Sequence, residues 1–201
     1  MGYWGTLIAV RSDGRNLSVL TECDAELREH DSVRRRDGWQ VYSVPDNVIF
    51  GDTDGMLPRL VKESDAPILA AYVADSDYGQ MVGLSPLHGR WETWLDAKTA
   101  FLFERDYLVM KGMSKADANR QAQQTIAAFG LPAREAAKRA TQWAREAGYQ
   151  VPFRPIRQIL VTSRSPGFSA VLRLPWKRFV FAEEMFFALL DNLGMPKLTD
   201  A

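Results

Sequence analysis

The chain has 201 residues, of which 46% are hydrophobic, with 25 Lys/Arg balanced against 25 Asp/Glu. That length supports one substantial core or two small domains sharing an interface, and no apolar run approaches the roughly 18 residues that a membrane-crossing helix needs. A single cysteine, Cys23, excludes a disulfide framework or a cysteine metal cluster, and the opening Met1-Gly2-Tyr3-Trp4-Gly5 lacks a secretory pattern, so a cytoplasmic protein away from membranes is expected.

Tyr3 to Val10 is rich in aromatic and β-branched residues and reads as a first strand, closed by Ser12-Asp13-Gly14. A helix is expected from Leu17 to about His30, capped by Asn16. Trp39 to Val44 alternates like a second strand. Asp46 to Gly55 is loop, and a helix from Gly55 to Ser64 turns Met56, Leu57 and Leu60 inward, with Pro58 in its first turn. The clearest local signal follows. Ala66 to Ala74 and Tyr78 to Leu84 are apolar runs around Asp75-Ser76-Asp77, which predicts a β-hairpin whose first strand is covered on both faces. After the turn Ser85–Gly89, Arg90 to Leu95 alternates as a further strand.

The period then changes. Asp96 caps a helix to about Met110, and Ser114 with Asp117 opens another, with Ala118, Ala122, Ile126 and Phe129 on its buried stripe. Pro132 opens a third, whose Ala133, Ala136, Ala137, Ala140, Trp143, Ala144 and Ala147 recur at spacings of three and four. Ile156–Ser163 and Phe168–Leu174, around Ser165-Pro166-Gly167, predict a second hairpin. A last helix runs from Phe181 to about Leu193, with Met185, Phe186, Leu189 and Leu193 on one side. The fold class is therefore α+β: a small mixed or antiparallel sheet with helices on one face, followed by a mainly helical half with a β-hairpin. The halves, 1–95 and 96–201, lack a flexible spacer, so tight contact is expected.

Net neutrality hides an asymmetry. Residues 1–96 carry 16 acidic and 9 basic side chains, a net of −7, and residues 97–201 carry the reverse. Either the halves attract each other or the basic half meets an anionic partner.

Reactive sets are sparse. Cys23 and His30 are two helical turns apart, a spacing that a nucleophile and base can use, but a lone thiol is more often a small buried hydrophobe. Asp75 and Asp77, like Asp52 and Asp54, alternate in turns, where Asp mainly accepts local backbone hydrogen bonds. As a carboxylate pair, Asp75 and Asp77 leave a hydrolase-type alternative open. His30 and His88 show no ligand or triad spacing, and phosphate-loop and nucleophile-elbow motifs are missing, so no cofactor and no metal are expected.

Two resemblances add to this. Met1–Gly5 with the Ala66-Pro67…Asp75-Ser76-Asp77 block resembles small cytoplasmic proteins of actinomycete-type bacteria over about the first hundred residues, which implies a compartment and no activity. Phe129-Gly130-Leu131 followed by Pro132–Tyr149 resembles the turn and recognition helix of a winged helix-turn-helix over about eighty residues. That resemblance implies nucleic-acid contact by Arg134, Lys138, Arg139, Gln142 and Arg145, with Arg157, Arg164 and Arg173 on the wing. Ile126 and Arg139 depart from its usual small and apolar positions. The leading expectation is a non-catalytic intracellular protein-interaction or regulatory protein, an immunity-like binder being one example. It would bind another protein through Asp52, Asp54, Asp75, Asp77, Trp91 and Trp94, with nucleic-acid binding through 132–174 as the alternative.

Overall fold

The computed structural model describes residues 2–14, 17–18, 33–44, 55–162 and 179–198. Its centre is an antiparallel sheet of six strands: β1 (Gly5–Arg11), β2 (Val33–Arg34), β3 (Trp39–Val44), β4 (Ile68–Ala74), β5 (Tyr78–Ser85) and β6 (Gly89–Leu95), in the order β2-β3-β1-β4-β5-β6. Among the described residues, six α-helices accompany it: α1 (Met56–Ser64), α2 (Ala97–Met110), α3 (Lys115–Phe129), α4 (Ala133–Glu146), α5 (Phe153–Val161) and α6 (Ala182–Asn192). The α+β expectation holds.

Strand alternation sorts the core into two layers. Ile8, Val10, Ile68, Ala70 and Val82 face Leu57 and Leu60 of α1. Leu7, Ala9, Leu69, Ala71, Val73 and Met81 face the opposite way, onto the alanines of α4 and the apolar sides of α5 and α6. Helices on one face therefore describes the first half alone; the second half covers the other face. Because β4 sits between β1 and β5 and is covered above and below, it is apolar throughout.

The β4–β5 turn forms at Asp75-Ser76, both with positive φ (50° and 59°), and Asp77 N donates to Ala74 O at 2.9 Å. Two successive left-handed residues give the mirror-type turn whose twist suits a hairpin. Small residues of α4 let its backbone come close to β5 and β6, and Trp143 closes the layer by donating Nε1–H to Ile68 O at 2.8 Å.

One element differs in kind. Residues 153–161 are helical where a strand from Ile156 is expected. Pro152 is the N-cap residue and Pro155 lies in the first turn, where a missing N–H costs no hydrogen bond. Ile156, Ile159 and Leu160 then fall on one buried stripe. The expected partner strand 168–174 and the remainder of the 17–30 helix lie outside the described residues, as do Cys23 and His30.

Candidate functional site

Among the candidate acids, Asp52 and Asp54 lie outside the described residues. Asp75 is exposed at the hairpin tip, and its Oδ1 accepts from Gly2 N at 2.9 Å and from Trp4 Nε1 at 3.2 Å. Next to it, buried Ser76 accepts from Tyr3 N at 2.7 Å through Oγ and donates from the same hydroxyl to Glu183 Oε1 at 2.8 Å, while Ala182 N donates to its carbonyl at 2.9 Å. These bonds clasp the N-terminal segment and the start of α6 to the turn. Asp77 is half-buried beside them. No group of three or more His, Cys, Asp or Glu side chains arranged to hold a metal ion occurs among the described residues.

Trp91 and Trp94 were expected on an exposed binding surface, and here the structure corrects the sequence reading: they are 4% and 8% exposed. They lie three residues apart, so they leave β6 on opposite faces, and both faces are covered. Trp91 joins the α4 side of the core, resting on Gly83, where any Cβ would overlap its indole. Trp94 donates Nε1–H to Ile126 O at 2.9 Å and meets the Phe129 ring at 4.7 Å between centroids.

The basic candidates behave differently. Arg134, Lys138, Arg139, Gln142 and Arg145 are all exposed on the outward side of α4, and Arg157 is exposed on α5. Lys138 is engaged by Glu135 at 2.9 Å. Arg164 and Arg173 lie outside the described residues. Around these side chains α4 packs on β5, β6 and α5, α3 packs on α2 and touches β6, and Arg157 stands on a helix where a wing strand is expected. Leu131 N donates to Glu92 O at 2.8 Å, so the α3–α4 turn is spent on the edge of the sheet.

Among the described residues, few charges pair across the two halves. Among the described residues, the ion pairs that join residues before 96 to residues after it are Arg35–Asp191 at 2.7 Å and His88–Glu146 at 4.0 Å. In both, the first half supplies the basic partner. The contact between the halves is instead apolar, the large cluster on the α4–α6 side of the sheet. The exposed arginines are left facing solvent.

The structure also presents a surface that the sequence reading passed over. Helices α2 and α3 form a hairpin at the β6 end of the sheet, joined by a small core of Leu108, Ala118 and Ala122 with Phe101, Val109 and Met113 around it. Asp96 fixes its start by accepting from Thr99 N at 3.1 Å. On the side of α2 away from α3, Phe103, Tyr107 and Met110 are 47%, 51% and 80% exposed. Their spacing of four and three makes one stripe, continued inward by the Phe103–Tyr78 ring contact at 5.5 Å. The signal was present in the sequence: α2 carries apolar residues over more of its circumference than its contacts with α3 and β5 cover.

Fold and surfaces together define an α+β protein with a closed core, an apolar helical stripe and an arginine-bearing face. Comparison with family models, with curated proteins and with solved structures gives no match. No helix among the described residues is long and apolar enough to cross a membrane.

Proposed function

We propose that this is a non-catalytic cytoplasmic interaction protein, of the regulatory or immunity-like kind, that docks another protein on the α2 stripe. The observation that carries this reading is the exposure of Phe103, Tyr107 and Met110 in one line. Aromatic residues and Met are enriched at the buried centres of protein interfaces, and contiguous apolar patches on monomers mark such contacts. Lys98 and Lys111 near the ends of α2 and Asp106 within it supply a charged rim. The test is co-purification of the full chain from the cells that make it, beside a Phe103→Ser/Tyr107→Ser/Met110→Ser variant whose unchanged melting temperature shows that it folds. A stoichiometric partner held by the first and lost by the second is expected. Equal retention by both would exclude the stripe, and turnover of a small substrate by the isolated chain would remove the non-catalytic reading.

A second reading, nucleic-acid binding, is favoured by the outward arginines of α4 and α5. They would contact phosphate, and affinity for duplex DNA or RNA would then fall linearly on a log–log salt plot. Replacing Arg134, Arg139 and Arg145 by Glu should abolish it; fluorescence anisotropy that shows no salt-sensitive binding by the wild type would end this reading.

A further inference from the structure

A groove of about 510 Å³ runs between the β6 edge, the end of α3 and the outer side of α4. Its walls combine two chemistries. Leu131, Ala127, Ala128 and Trp91 make it apolar, and Arg139 reaches it from α4. Arg90 and Glu92 also border it but are bonded to each other, Nε to Oε1 at 2.6 Å, so the Glu92 charge is neutralised within the wall. Arg139 has no acid within ion-pair reach among the described residues. Trp91 is 4% exposed, its ring resting on Gly83.

We infer that this groove is a binding site for a small carboxylate with an apolar body, such as an aryl or branched-chain acid. The guanidinium fork matches the planar carboxylate with two parallel hydrogen bonds, a fit that a lysine or a helix end does not give. The alanine, leucine and indole surfaces take the hydrocarbon. The volume lies within the range of small-molecule sites. Gly83 serves the same site from beneath, because only a residue without Cβ lets the Trp91 ring lie where it lines the groove. The inference is independent of partner docking at α2, which lies on a different element.

The experiment is a titration of the full chain with benzoate, followed by calorimetry and by the Trp indole N–H resonances in NMR, with benzyl alcohol and inorganic phosphate as comparison probes. Saturable benzoate binding that shifts one indole resonance is expected, that resonance being absent from Trp91→Phe. Arg139→Gln should weaken binding by about tenfold or more, the scale of a lost charge-assisted pair. Arg145→Gln, on the same helix but lining a separate groove with Tyr149, should bind as the wild type does. Arg139 is exposed, so its replacement is compatible with folding, and an unchanged melting temperature checks this. The inference is overturned if benzoate does not bind, if Arg139→Gln binds it equally well, or if benzyl alcohol or phosphate binds as tightly.

Discussion

Arg35 and Tyr149 show how single side chains tie the end of the chain to its beginning. The Arg35 side chain is buried; Nη1 donates to Asp191 Oδ1 at 2.7 Å and to Met195 O at 2.5 Å, and the guanidinium carbon lies 5.3 Å from the Phe187 ring centre. Arg35→Met would keep the apolar stem but strand a buried carbonyl, so a loss of about 1–3 kcal/mol in urea unfolding is predicted. Tyr149 donates its hydroxyl to Asp37 Oδ2 at 3.0 Å, and Gly194 approaches its ring so closely that a Cβ would overlap it. Burial, and then the hydrogen bond to the Asp37 carboxylate, push the phenol up from 10.0 to about 12. The folded state therefore holds this proton where the unfolded state has lost it. Its contribution to stability is complete below pH 10 and disappears as the pH rises towards 12. Ultraviolet difference titration against Tyr149→Phe should show one tyrosine ionising near pH 12; a midpoint at 10 would contradict the packing described.

At the scale of elements, α4 depends on small residues. Ala140 is fully buried between the helix and its neighbours, so Ala140→Leu should cost about 1–3 kcal/mol by overpacking. An unaltered denaturation midpoint would show that the helix does not lie so close. The same alanine stripe was legible in the sequence because its period is helical whatever covers it, and the β4–β5 hairpin was legible because two apolar runs flank a turn of Asp and Ser. Helix α5 was not. Pro155 reads as a breaker until the first helical turn is known to begin at Phe153, and Ile156, Leu160 and Thr162 satisfy a period of two as readily as Ile156, Ile159 and Leu160 satisfy a helix. Trp91 and Trp94 were misread for a tertiary reason: alternation shows that they leave β6 on opposite faces, but not that the second half of the chain covers both. The exposed stripe on α2 was missed because apolar residues are assigned to a core unless the number of neighbouring elements is known.

Among the described residues, the two halves are joined by apolar contact more than by charge. Leu7, Ala9, Leu69, Ala71 and Met81 of the first half share one cluster with Ala136, Trp143, Met185 and Phe186 of the second. A fragment of residues 1–95 would expose that entire face of the sheet, so it should lack a cooperative urea transition, whereas the full chain unfolds in a single step seen alike by circular dichroism and tryptophan fluorescence. A cooperative transition in the fragment would show that the halves fold separately. Arginines of the second half face outward on α4 and α5. The α2 stripe belongs to this scale as well, since it is an apolar surface that the shared core leaves uncovered.

The central claim, that α2 docks a partner protein, is tested most directly by placing a photo-activated cross-linker at position 107 in the cells that make the protein, with the same group at exposed Lys62 on α1 as control. The account predicts a discrete adduct with one other protein from position 107 and none from position 62. No adduct at 107, or adducts equally from both positions, would contradict it.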